Sequence, residues 1–338
     1  MDQGWTEPQP RGARAMPRDR EMTPGPGARA DRGFTLTLAG FGLIWLLNAG
    51  FQIAAWIARP GRTGARALMQ VFTAAVADAP PWLRPGLRAV TASVRDIGAE
   101  RVAFAMAAIA LLLGLALLFR VGLRAAAWLG IGYSLLCWVV LCALGYPYGH
   151  GQTDPGVFPA YLIAFVFVLA LAPSRGAGAP GADPCRSSVW TTGRVLFGLL
   201  WAFDAALKWD PYFLTHFLDQ LIPAMAGQPG WIAAYLGLVI GVVKAVGPVP
   251  SAIGTALVET ALALSLLTGR WLRWSVPLGL VYALAVWTTA EGWGGPYTSA
   301  GTGVRGNVLG NVLIYAVIFL FLLVPHLRRA AADRPAAA

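Results

Sequence analysis

Residues 42–52 read GLIWLLNAGFQ, and 156 positions later residues 198–208 read GLLWAFDAALK. Both stretches lie in long apolar runs, so the chain reads as a membrane-spanning unit written twice. Further outward the offset settles at 149, where Trp82 meets Trp231, Arg95 meets Lys244, Gly98 meets Gly247 and Gly130 meets Gly279. Tyr133, Trp138, Gly145, Pro147, Tyr148 and Thr153 likewise meet Tyr282, Trp287, Gly294, Pro296, Tyr297 and Thr302. A seven-residue deletion between the two offsets is ordinary loop drift in an internal repeat. Apolar coincidences are cheap in so hydrophobic a chain; shared Trp, Tyr, Pro and basic positions are not. The copies part where chemistry would sit. Asn48 and Gln52 stand opposite Asp204 and Lys208, and Ala110 stands opposite Glu259.

Composition excludes an ordinary soluble domain. Apolar residues are 57% of the chain and charged residues 12%, against about 25% charged in typical domains. The 14 Trp suit rings seated at membrane–water interfaces. A net charge of +10 does not point to nucleic acid, because the basic residues lie in tails and short loops between apolar runs. Three cysteines without a CxxC form no disulfide framework. Cys137 and Cys142 diverge around one apolar helix as small core residues.

Eight apolar runs approach or reach the roughly 20 residues needed to cross a hydrocarbon core. They lie near 36–57, 102–119, 125–144, 157–173, 190–208, 251–268, 274–290 and 309–325. The expected fold class is therefore an all-α integral membrane protein of two parallel four-helix repeats with outer interfacial helices. Residues 1–33 read as a disordered basic tail, 34–173 as the first repeat, 174–189 as a linker, 190–327 as the second repeat and 328–338 as a basic C-terminal tail. The N-terminal tail, the Arg120/Arg124 turn, the linker to Arg194, the Arg270/Arg273 turn and the C-terminal tail hold 16 of the 26 basic residues. The positive-inside rule puts both termini on the cytoplasmic side. Loop 58–101 carries seven arginines on the outer side, but the rule weakens for long loops. Within that loop, Leu87, Val90, Val94 and Ile97 follow helical spacing, as in a helix lying in the interface. Its counterpart 231–246 is apolar enough for a ninth span; the repeat argues instead for a re-entrant or surface helix. Four spans per copy make the copies parallel, related by an axis along the membrane normal.

Ionisable residues inside spans are costly and need partners. Asp204 and Lys208 are four apart on one helix and share a face, which predicts an ion pair. Glu259 sits within the apolar Ala256–Ala261 stretch of the next span. Three readings stand: the charged residues lock helices together, they form a site for a head group or a proton, or Lys208 snorkels to the interface. The outer loop from Glu291 through Gly294, Gly295, Pro296 and Tyr297 to Thr302 is a tight, Gly-rich backbone whose N–H groups either face a ligand or fold into a compact turn. No phosphate-loop signature is present. Asn307 and Asn311, four apart, are expected to face each other at the start of the last span. His150, His216 and His326 are scattered, which argues against a metal site, and no hydrolytic triad stands out.

The second copy resembles the DoxX family of small four-helix bacterial membrane proteins and its quinone-linked relative DoxD. The resemblance rests on Arg194-(x3)-Gly198-(x9)-Lys208, on Glu259 followed by an Ala/Leu run to Leu267-Thr268-Gly269-Arg270, and on Gly294-Gly295-Pro296-Tyr297 before the last helix. It covers about 140 residues; the first copy departs from it at Gln52 and Ala110. The resemblance implies a membrane redox-associated role, quinone as the small-molecule partner and a soluble redox enzyme as protein partner. On that reading Lys208, Asp204 and Glu259 contact a quinone head group or relay its proton, supported by Arg194 and the outer loop. A small-solute transporter with parallel repeats and a non-catalytic scaffold are the competing classes.

Overall fold

The structure is a computed structural model that describes residues 26–57, 63–145, 153–172, 187–295 and 307–332. Within these the chain is all helical. Four helices are long and apolar enough to cross a membrane: α1 (Pro26–Ile57), α4 (Ala99–Leu118), α5 (Leu123–Cys142) and α11 (Pro248–Thr268). Shorter apolar helices are α6 (Val157–Leu171), α10 (Gly230–Val246) and the Val312–Pro325 part of α13 (Val312–Ala332). Helices α7 (Ser188–Lys208) and α12 (Leu272–Thr289) are of spanning length but more polar. Helices α2 (Thr63–Asp78) and α3 (Arg84–Ile97) follow α1, and the short α8 (Pro211–Thr215) and α9 (Leu218–Leu221) follow α7.

The boundaries follow from local chemistry. Ser187 caps α7 by accepting from the Trp190 backbone N–H at 3.1 Å, and Asp210 caps α8 through Tyr212 at 2.8 Å. Gly98 separates α3 from α4 at φ 98°, and Gly247 separates α10 from α11 at φ 104°, both in the left-handed region that glycine enters without cost. Two helices reach into the expected tails. Helix α1 starts at Pro26, inside the stretch expected to be disordered, because proline suits the first helical position. Helix α13 runs on to Ala332, since Leu327 through Ala332 are all good helix formers.

Helices α1 and α4 pack together, as do α7 and α11. Gly42 and Gly198 permit this: a Cβ on Gly42 would stand 2.8 Å from the Gly114 carbonyl oxygen, and one on Gly198 would stand 2.9 Å from the Leu267 nitrogen. Small residues at such crossings let backbones approach closely. Helices α6 and α13 form the centre. Helix α6 and the Val312–Pro325 part of α13 are apolar on every side and buried on nearly every side, as a helix enclosed by others should be. Around them α1 packs on α13, and α7 packs on α6. Outward-facing Leu112, Trp128, Leu136, Leu257, Leu264 and Val281 suit contact with lipid.

Contacts recur between the two halves, at the offsets of 156 and 149 seen in the sequence for Trp45, Tyr133 and Trp138 and at 154 for their partners in and just before α6 and α13. Trp45 touches the rings of Tyr133, Tyr161 and Phe165, while Trp201 touches those of Tyr282, Tyr315 and Phe319. The Trp138 indole donates to the Pro155 carbonyl at 3.2 Å, and that of Trp287 donates to the Leu309 carbonyl at 2.6 Å. Helix α3 buries Leu87, Thr91 and Val94 and leaves Trp82, just before it, exposed. Helix α10 buries only Ile232, Leu236 and Ile240, one stripe against α11 and the turn at Pro223–Met225.

Candidate functional site

The charged residues of α7 and α11 converge on a cavity of about 250 Å³. Its walls are Trp201, Asp204 and Lys208 of α7, Thr255 and Glu259 of α11, Tyr282 and Val286 of α12, and Tyr315 of α13. Thr153 and Asp154, just before α6, close one side. Phe213, Phe217, Gln220 and Leu221, from the segment that holds α8 and α9, lie over it. Asp204 is 4% exposed, Glu259 3% and Lys208 8%, so all three are inside the protein.

The expected Asp204–Lys208 ion pair is not formed. Lys208 pairs instead with Glu259, Nζ to Oε2 at 3.5 Å, and donates to the Thr153 carbonyl at 2.6 Å. Its ammonium also sits 5.3 Å above the Phe213 ring. Asp204 accepts from the Tyr315 hydroxyl at 2.8 Å, and Glu259 accepts from the Tyr282 hydroxyl at 2.9 Å. Spacing of four placed Asp204 and Lys208 on one face, as expected, but the lysine stem is long enough to reach α11 while the short aspartate side chain reaches only α13. Burial of Lys208 also removes the reading in which it snorkels to the interface. A buried ion pair joined to a tyrosine is costly to desolvate and weak as pure glue.

Glu291, just beyond the end of α12, lines the same cavity. Its two carboxyl oxygens accept from the backbone N–H groups of Asn311 at 2.7 Å and Val312 at 3.0 Å, capping the start of α13. Burial first, and the nearby charge of Asp154 second, push this carboxyl up to about 8, against the pull of the two N–H bonds. The Asn311 side chain donates to Asp154 at 3.0 Å. It therefore does not face Asn307, which is exposed. The cavity thus gathers four carboxyl groups, Asp154, Asp204, Glu259 and Glu291, and one ammonium.

Three expected contributors lie elsewhere. Arg194 is 14 residues from Lys208 on α7, about 21 Å along the helix axis. It donates to the Leu266 and Leu267 carbonyls at the far end of α11, where it caps a helix and supports no head group. The N–H groups of Gly294 and Gly295 bond to the carbonyls of Glu291 and Val308, so this part of the loop is a compact turn with no N–H free for a ligand. Pro296, Tyr297 and Thr302 lie outside the described residues, as does His150.

Sequence reasoning missed Asp154, Tyr282 and Tyr315 as site residues. In the sequence Tyr282 stands out only as a repeat position. A signal for Tyr315 existed: Tyr161 and Tyr315 are single tyrosines at matching places in the most apolar helices. The first copy keeps the outline without the charge. Asn48 donates to the Tyr161 hydroxyl at 2.8 Å, as Asp204 accepts from Tyr315, and a fully buried Ala110 stands where Glu259 would be. Comparison with protein-family models, curated proteins and solved structures finds no match for the chain.

Proposed function

We propose that this chain is an eight-span protein of a bacterial cytoplasmic membrane, DoxX/DoxD-like in its second half, and the membrane subunit of a quinone-linked redox or redox-protection complex. Its spans are α1, α4, α5 and α6, then α7, α11, α12 and α13, as two parallel units with both termini cytoplasmic. Helices α2, α3 and α8–α10 are the outer insertions. The contacts that recur at fixed offsets support the duplication. The single observation that carries the functional reading is the joining of Lys208, Glu259 and Tyr282 to Asp204 and Tyr315 around one aromatic-walled cavity. Trp201, Phe213, Phe217, Tyr282 and Tyr315 give it flat walls, and its volume takes one ring rather than a whole lipid. A quinone there gains two electrons from a soluble partner enzyme and two protons to become a quinol. Buried acids beside the ring are the groups that hand over protons.

The test is to purify wild type, Lys208→Ala and Glu259→Gln in matched amounts, extract them and quantify bound quinone by mass spectrometry. Wild type is expected to retain quinone near one per chain and both variants to lose most of it. Quinone no higher than in an unrelated membrane protein would overturn the proposal. Solute-dependent flux in proteoliposomes at wild-type cavity integrity would replace it with a transporter.

A further inference from the structure

The charged side chains of the cavity are mostly occupied by one another, and what remains free has a definite hydrogen-bonding character. Lys208 spends its ammonium on Thr153 and Glu259, and the hydroxyls of Tyr282 and Tyr315 are donated to the two acids. Among the described residues, three buried polar atoms on cavity-lining residues have no hydrogen-bond partner: Asp204 Oδ1, Glu259 Oε2 and Trp201 Nε1. Two are acceptors and one is a donor. The orphan indole N–H recurs at Trp45, the matching residue of the first copy, where Asn48 and Ala110 leave no acids. Of the two carboxyl oxygens, Glu259 Oε2 faces only the Lys208 ammonium, at 3.5 Å, and Asp204 Oδ1 has no hydrogen-bond partner; neither has a counterpart in the first copy.

Buried acceptors left unmet are expensive, so a ligand that fits must bring donors. Once the acids have handed over their protons they are carboxylates and accept only; beside them a quinone ring, which offers only carbonyl acceptors, satisfies the indole alone. A quinol offers two hydroxyls, each able to donate to a carboxyl oxygen and to accept from the indole. An organic ammonium would meet the oxygens but bring a second cation beside Lys208 and leave the indole unmet. Nor is a metal ion indicated: among the described residues no three acidic, His or Cys side chains converge on one point closely enough to hold one. We propose that the cavity binds the reduced, hydroxyl-bearing form of its ligand in preference to the oxidised form, with Asp204 Oδ1 and Glu259 Oε2 as the two receiving atoms.

This rests on the quinone reading above and adds a direction to it. Preference for the quinol makes a bound quinone easier to reduce. A tenfold difference in affinity moves the midpoint of the bound two-electron couple about 30 mV more positive. The site is then built as an electron acceptor.

The experiment measures the affinities of a short-chain quinone and its quinol, kept reduced under anaerobic conditions, for the whole protein in lipid nanodiscs. Wild type is expected to bind the quinol at least about tenfold more tightly, the low end of the effect of leaving a buried acceptor unpaired. Asp204→Asn is the informative variant. The amide has one oxygen and no charge. Either it accepts from Tyr315 and turns its NH2 to the cavity, or it donates its NH2 to the tyrosine as Asn48 does to Tyr161; in both arrangements the cavity loses a charged acceptor. The preference should then fall toward one or reverse. Asparagine already stands at this helix position in the first copy, beside the matching Tyr161, so the variant is expected to fold. Should Asp204→Asn fail to accumulate, Glu259→Gln makes the same exchange beside Tyr282. Equal binding of both forms by wild type, or tighter binding of the quinone, would overturn the inference and leave the quinone site standing. Binding of neither form would sink both.

Discussion

Replacing Lys208 by alanine removes the one cation from a cavity that holds four carboxyl groups. Glu259, 3% exposed and 3.5 Å from the lysine nitrogen, keeps only the Tyr282 hydroxyl as partner. The Thr153 carbonyl loses its 2.6 Å donor as well. Breaking a buried pair from one side costs roughly 3–5 kcal/mol, because the remaining charge is left uncompensated. Lys208→Ala is therefore expected to lower expression and thermal stability sharply. Adding Glu259→Gln should recover much of the loss, since the amide keeps the Tyr282 bond and removes the stranded charge. Adding Asp204→Asn should recover little, because Asp204 is held by Tyr315 and forms no ion pair with the lysine. Melting of wild type, the three single variants and the two double variants in one detergent, followed by size-exclusion fluorescence, gives the comparison as two double-mutant cycles. Additive losses for Lys208→Ala and Glu259→Gln would refute the pairing. Rescue by Asp204→Asn in place of Glu259→Gln would show that the ion pair lies along α7.

Further outcomes follow from the same geometry. Cysteines introduced at Asp96 and Asp219, both exposed, are expected to be labelled by an impermeant reagent on intact cells, while one at Arg270 is not; labelling at Arg270 would overturn the eight-span topology. Glu291 is held protonated by the fold up to about 8, against an ordinary value near 4.5, so its contribution is fully present below the ordinary value. The folded protein binds the extra proton, and stability should fall as pH rises from about 5 to 8, with a flatter profile for Glu291→Gln; identical melting profiles would contradict the assignment. Arg194→Ala should lower stability by loosening the end of α11 and leave ligand affinity unchanged, and a loss of affinity at equal stability would return Arg194 to the site.

The all-helical fold, with helices long and apolar enough to cross a membrane, was legible because apolar runs of this length have few alternatives; the proposed repeat rests on paired Trp and Tyr positions. Glu259 announced itself by standing inside an apolar run. The partner of Lys208 was not legible. Spacing along a helix tells which side chains share a face, whereas an ion pair depends on which neighbouring helix comes within reach of a flexible stem. Asp154 gave no signal because an aspartate in a polar loop is unremarkable until α13 brings Asn311 against it. The misplacement of Arg194 was avoidable: fourteen residues of helix separate it from Lys208 by more than any single head group spans. The Gly294–Gly295 backbone offered two readings, and only the position of Val308 decided between them.

The central claim is that a quinone ring occupies the cavity between Lys208, Glu259 and Asp204. The most direct measurement is photo-crosslinking with a ring-azido quinone in native membranes, with adducts mapped by peptide mass spectrometry. Adducts are expected in Trp201–Phe217 and Tyr282–Glu291, competed by unlabelled quinone and lost in Lys208→Ala/Glu259→Gln. Adducts confined to the lipid-facing residues of α4, α5 and α12, unaffected by competitor or by those substitutions, would contradict the claim.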